Sequence, residues 1–84
     1  MLEVVIERHA ERDLKQLERE TRRRMYVALR ALAENPYPHD CCKLAGSTSD
    51  WRIRVGDYRI IYEIDKKART VRVMRIRHRR EVYR

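Results

Sequence analysis

Long hydrophobic runs are missing from this chain. No stretch approaches the roughly 20 apolar residues needed to cross a bilayer, and no basic-then-apolar leader opens it. A cytoplasmic protein with no membrane contact is the expectation. Cysteine is scarce: two residues among 84, Cys41 and Cys42, and they are adjacent. Neighbouring cysteines close only a strained disulfide, so reduced thiols are expected. With His39 they make a poor zinc site, because no second pair of ligands exists, and no metal or cofactor is expected. Internal repeats, low-complexity tracts and Gly/Ser linkers are also absent. That points to a single domain over residues 1–84. A chain of this size buries only roughly 60–65% of its unfolded surface, so modest stability and dependence on a partner are expected.

What is abundant is positive charge. The net charge is +8, from 21 Lys/Arg against 13 Asp/Glu. It is unevenly spread. Residues 1–34 hold eight basic and seven acidic residues, so residues 35–84 carry +7 of the total. A localised basic excess is the electrostatic footprint of a nucleic-acid binder. The competing reading is solubility, or an Arg/Glu-rich surface of the thermophile kind.

The order of elements follows from periodicity. Leu2 to Glu7 is a short β-branched run and predicts a strand. Ala10, Leu14 and Leu17 follow at helical spacing. Met25, Ala28, Leu29, Leu32 and Ala33 carry a second helix to Glu34, with Thr21 as its expected N-cap. The two form an antiparallel helical hairpin, which Asn35-Pro36 and Tyr37-Pro38 end. After a loop over 35–50 the period changes to two. Trp51, Ile53 and Val55 alternate with Arg52 and Arg54. Gly56-Asp57 is a two-residue turn, and Tyr58, Ile60, Tyr62 and Ile64 resume the alternation. Thr70 to Ile76 predicts a third strand. Its apolar residues fall on both parities, which suggests a central strand or a bulge. The fold class is α+β: an N-terminal strand, a helical hairpin, then a three-stranded antiparallel meander.

The turn sets a register in which Val55 meets Tyr58, Arg54 meets Arg59, Ile53 meets Ile60, Arg52 meets Ile61 and Trp51 meets Tyr62. One face is apolar and belongs on the helices, so Trp51 and Tyr62 are expected in the core. The other carries Arg52, Arg54 and Arg59, with Glu63 as its one acid. Directly opposed like charges destabilise a sheet by roughly 0.2–1 kcal/mol. A polyanion relieves that repulsion, and guanidinium matches phosphate geometry bidentately.

Two motifs carry a family resemblance. They are Trp51-Arg52-Ile53-Arg54-Val55-Gly56-Asp57-Tyr58-Arg59-Ile60-Ile61-Tyr62 and the ending His78-Arg79-Arg80-Glu81-Val82-Tyr83-Arg84. With the N-terminal strand, the Glu34-Asn35-Pro36 helix end and Lys43-Leu44-Ala45-Gly46, the chain resembles, over its whole length, the RelE/ParE superfamily of toxins from toxin–antitoxin modules. The resemblance implies a RelE-like microbial ribonuclease fold. RelE-like members are ribosome-dependent, metal-independent ribonucleases that cut mRNA in the ribosomal A site, which inhibits translation. Carried over, Arg52, Arg54, Arg59 and Arg79 fall on basic catalytic positions and Tyr83 on the C-terminal tyrosine. Arg77, His78, Arg80 and Lys43 are expected to contact RNA. The first-strand positions, often Lys in RelE, are Arg here. The ending is shared with ParE-like members, which poison DNA gyrase.

Metal-free RNA cleavage needs a base for the 2′-OH, charge on the phosphorane and an acid for the leaving 5′-oxygen. Arginines supply the second. For proton transfer the candidates are Tyr83, amid Arg79, Arg80 and Arg84, and His78, because imidazole as a class titrates near neutrality. Three readings stay open: mRNA endonuclease, gyrase inhibitor, or a non-enzymatic corepressor. Each implies a cognate antitoxin in a heteromeric complex, and the Arg22-Arg23-Arg24 run is either a solvated face, a secondary RNA contact or a surface for an acidic antitoxin.

Overall fold

The computed structural model describes residues 1–39, 41–43 and 50–82. Leu44 to Ser49, which include most of the Lys43-to-Gly46 motif, lie outside the described residues, as do Asp40, Tyr83 and Arg84. Strand β1 (Glu3–Ile6) leads to helices α1 (Arg8–Lys15) and α2 (Arg19–Glu34). Then come a two-residue strand β2 (Cys42–Lys43), β3 (Asp50–Val55), β4 (Tyr58–Asp65), β5 (Thr70–His78) and a short helix α3 (Arg79–Val82). The strands form one mixed sheet in the order β1-β5-β4-β3-β2. Among the described residues no helix is long and apolar enough to cross a membrane.

The helices bury the residues that their spacing selects. Ala10 and Leu14 of α1, and Met25, Leu29, Leu32 and Ala33 of α2, lie in the core with Ile53, Ile60, Tyr62, Val71, Val73 and Ile76 from the sheet. The start of α2 differs from expectation. Its N-cap is Glu18, and Thr21 sits inside the first turn. Only Gln16 to Glu18 separate the helices, with Leu17 sealed under the joint, so Thr21 comes too late to cap. The end of α2 is as expected: Asn35 turns extended, its Oδ1 accepts from the Tyr37 N–H at 3.1 Å, and Pro36 follows.

The hairpin register is the one the turn dictates, from Val55 opposite Tyr58 to Trp51 opposite Tyr62. Gly56 has φ +62° while Asp57 is not at positive φ, the sign pattern of a type II′ turn. The strand begins one residue earlier than expected, so Asp50 stands opposite Glu63 and adds a second acid to the far end of that face. Tyr62 is fully buried and its hydroxyl donates to the Pro36 carbonyl at 2.8 Å. Trp51 is half-buried, its ring edge-on to Tyr37 at 5.0 Å. Both aromatics are therefore held in packing.

Strand β5 is central and bulged, which accounts for its apolar residues on both parities. It pairs parallel to β1 from Glu3–Thr70 to Ile6–Val73, and antiparallel to β4 along its length. The register slips between Ile61 and Tyr62, which face Arg75 and Val73 and leave Met74 as the extra residue. Past Val73, β1 no longer covers the outer edge of β5. Asp13 of α1 takes over: its Oδ2 accepts from the Ile76 N–H and from Arg75 Nε, both at 2.9 Å, and its Oδ1 from Arg75 Nη2 at 3.3 Å. A backbone amide and a guanidinium near the bulge are thus satisfied by one carboxylate.

Replacing Asp13 with Ala is expected to lower unfolding free energy by about 2–3 kcal/mol, since charged hydrogen bonds are removed and a strand amide is orphaned. Asp13→Asn, which keeps one acceptor, is expected to cost about half as much. Urea unfolding beside Glu11→Ala on the same helix reads the difference; equal destabilisation at 11 and 13 would contradict this account.

Candidate functional site

Every second residue of a strand shares a face, and a register aligns those faces across strands. Here Arg54 of β3 lies opposite Arg59 of β4, and Arg59 lies opposite Arg77 of β5. Three arginines form one row across three adjacent strands, about 10 Å from first Cα to last given the usual strand spacing. Arg52 is on the next rung, diagonal to Arg59, beside Ile61 and opposite Cys42 of β2. The expected trio therefore gains Arg77. The periodicity of the sequence ends the third strand at Ile76; β5 continues to His78, and that extension brings Arg77 into the sheet.

Two acids of the helical side meet arginines on other rungs. Arg72 Nε stands 3.0 Å from Glu7 Oε1, and Arg75 is held by Asp13. The register partners within the row are arginines, whereas Glu63 and Asp50 oppose each other toward the far end of the hairpin. The face therefore differs along its strands: a row of one sign near the Gly56-Asp57 turn, and at the other end a rung of mixed sign, Asp50–Glu63–Arg72.

The turn end is also where the C-terminal segment is pinned. Arg79 N–H donates to the Asp57 carbonyl at 2.8 Å, so α3 starts against the hairpin turn. Arg54 Nε donates to the Gly56 carbonyl at 3.2 Å, which holds that side chain along the same turn. Arg79 and Arg80 are exposed beside it. Tyr83 follows α3 and lies outside the described residues.

Two expected RNA contacts stand apart from the row. His78 pairs with Tyr58, on the opposite parity to Arg77. Its ring is edge-on to Tyr58 at 5.1 Å, and its Nδ1 accepts from the Arg80 N–H at 3.2 Å. Lys43 is exposed on the edge strand opposite Trp51, again on the other parity from Arg52. Cys41 and Cys42 are free thiols. Among the described residues no three His, Cys, Asp or Glu side chains are grouped to hold a metal. The chemistry this arrangement offers is anion binding: guanidiniums, each with several N–H donors, side by side on a sheet face.

Comparison with known proteins gives the family and the fold. A family model described as ParE toxin of type II toxin-antitoxin system, parDE, matches residues 4–83. A search of curated protein sequences returns no match. Among solved structures, the chain resembles one in the archaeal RelE-RelB complex from Pyrococcus horikoshii, with TM-score 0.82 and 28% identity over 93% of this chain and 94% of that one. It resembles one in the toxin-antitoxin complex RelBE2 from Mycobacterium tuberculosis, with TM-score 0.83 and 25% identity over 92% and 96%. The isolated E. coli RelE toxin, at 22% identity and TM-score 0.82 over 99% and 92%, shares the fold.

An anion that binds only the folded row should stabilise the protein by mass action. Tripolyphosphate at constant ionic strength is expected to raise Tm by several degrees. Arg54→Thr, a neutral strand former, should cut that gain at least by half while melting no lower than wild type without the anion, because it relieves an opposed like-charge pair. Differential scanning calorimetry measures both; an undiminished gain in Arg54→Thr would count against a row that binds phosphate.

Proposed function

The chain belongs to the ParE toxin family of type II toxin–antitoxin systems, within the RelE/ParE superfamily, and from that premise we propose that it is a ribosome-dependent, metal-independent endoribonuclease that cleaves mRNA and so inhibits translation. The observation that carries the reading is the row Arg54–Arg59–Arg77, in which arginine is set opposite arginine across both strand pairs. A sheet face that needed only to stay wet would more readily alternate the signs of its cross-strand pairs. A row of one sign is suited to a polyanion.

In the proposed reaction the ribose 2′-oxygen attacks the adjacent phosphorus, the bond to the 5′-oxygen breaks, and the products are a 2′,3′-cyclic phosphate and a 5′-hydroxyl. Arg52, Arg54 and Arg59 hold the phosphate and stabilise the charge that grows on its equatorial oxygens. They also fix the backbone in line for attack, which contributes several kcal/mol by orientation alone. Arg77, Arg79 and Arg80 extend the same field toward the leaving 5′-oxygen, which takes its proton from water to become the 5′-hydroxyl. Tyr83 follows in sequence the segment anchored at Asp57 and is the proposed base. His78 has the role of a holding residue: the Nδ1 contact to Arg80 N–H sets the start of α3, with Nε2 left to reach a flanking nucleotide.

Such an enzyme needs restraint, so a cognate antitoxin is part of the proposal. The relatives from Pyrococcus and Mycobacterium were solved as toxin–antitoxin complexes. An acidic segment is suited to the arginine row. An amphipathic helix is suited to the groove between α2 and β1, where Val4, Ile6 and the exposed Tyr26 and Val27 are ringed by Arg19, Arg23 and Arg30. The ParE family match favours a second reading, inhibition of DNA gyrase.

In a translating extract the protein is expected to cut transcripts within codons at the A site, and Arg59→Ala to slow cutting by at least 10²-fold, the usual effect of removing one transition-state donor. Intact transcripts alongside blocked supercoiling by purified gyrase would replace the ribonuclease reading with the second one.

A further inference from the structure

The turn that closes the hairpin draws arginines from three separate elements. Arg54 Nε and the Arg79 N–H bond its two carbonyls, as described. The third comes from the helical layer. Arg24 of α2 reaches down so that Nη1 and Nη2 each stand 3.5 Å, and Cζ 3.7 Å, from the position a Cβ on Gly56 would occupy. Gly56 is at φ +62°, where a side chain is strained, so the turn leaves that approach open. Arg24 is exposed, and with Glu20 and Arg23 it lines a groove between α2 and Val55 of β3; Arg23 also lines the groove toward β1, and Arg22 Nη2 donates to the Leu17 carbonyl at 3.4 Å. Of the arginine run at 22–24, Arg24 is the member that leans onto the hairpin turn.

We propose that Arg24 is a phosphate-binding residue of the same interface, which carries a single-stranded RNA backbone from the sheet face around the Gly56-Asp57 turn onto the helical layer. This rests on the ribonuclease reading and adds to it a second, flanking phosphodiester site. The physical basis is continuity. Arg59 and Arg77 stand in the sheet, Arg54 and Arg79 at the turn, and Arg24 beyond it, so the positive surface bends with the chain instead of ending at the edge of the row. A strand held at two points on either side of a bend has its intervening phosphate fixed in place. In the reaction Arg24 is a positioning residue: it acts on RNA flanking the scissile bond and not on the reacting atoms.

The test uses a fluorescein-labelled single-stranded 2′-O-methyl RNA dodecamer, which binds without being cut, titrated by anisotropy over a series of KCl concentrations. For single strands the slope of log K against log salt changes by about 0.7 for each phosphate that the protein neutralises. Arg24→Gln is expected to flatten the slope by about one such step and to weaken binding several-fold. Arg24→Lys should restore the slope, and Arg12→Gln, an exposed arginine on α1, should leave it unchanged. Equal slopes for wild type and Arg24→Gln, with Arg54→Gln still flattened, would overturn the role of Arg24 and leave the arginine row intact. An Arg24→Gln protein with weaker antitoxin affinity but the wild-type slope also overturns it, and reassigns the residue to a protein interface. No salt-dependent RNA binding by wild type would overturn the underlying reading along with it. Melting curves by circular dichroism confirm that each variant is folded.

Discussion

One carboxylate holds the middle of this fold together. Strand β5 is shared between a parallel neighbour and an antiparallel one, but β1 covers it only as far as Val73. Asp13 supplies what β1 stops supplying, an acceptor for the Ile76 amide, and at the same time neutralises Arg75. Because that edge is satisfied, β5 can continue to His78 without a partner strand on that side. The continuation puts Arg77 across from Arg59 and delivers the Arg79 amide to the Asp57 carbonyl. The basic row and the anchoring of the C-terminal segment both follow from a helix residue that belongs to neither.

The row itself is a cost that the core offsets. Opposing two guanidiniums across strands costs roughly 0.2–1 kcal/mol per pair, and the row contains two such pairs. Ile53, Ile60, Ile76 and the fully buried Tyr62 lie on the opposite face of the same strands and bind them to the helices. Each buried side chain of this size contributes about 1.5–3 kcal/mol, so one face can bear what the other gives up. Sites that bind strongly charged ligands commonly trade stability in this way. Arginine in general meets a phosphate at less cost than lysine, since its planar donors give up less freedom.

Much of this was legible from residue order because it is written in short-range patterns. The Gly56-Asp57 turn and strict alternation on either side set every pair from Val55–Tyr58 to Trp51–Tyr62. The buried faces of both helices follow from i, i+4 spacing. The mixed parity of Val71, Val73, Met74 and Ile76 signalled a central strand or a bulge, and β5 is both. What stayed hidden depends on contacts between distant residues. The parallel β1–β5 pairing joins Glu3 to Thr70 and leaves no periodic trace. Strand β2 is two residues long. Asp13 reads as one more polar residue on an amphipathic helix. Arg77 looked like part of a basic tail because the bulge shifts the alternation just before it. Extending the β4 pairing one residue beyond Ile76 would have found it.

The parallel pairing of the first strand with the last has a consequence for the order of assembly. Residues that meet across nearly the full chain length meet the closure entropy before they gain the contact, so this step comes late and slowly. The β3–β4 hairpin is local and forms early. Only residues 66–69 separate β4 from β5, so β5 joins that hairpin locally too, and with it come the third arginine and the Arg79 amide that bonds the Asp57 carbonyl. The long-range step is the docking of β1 against β5, and the charge is assembled apart from it, within one contiguous stretch of chain.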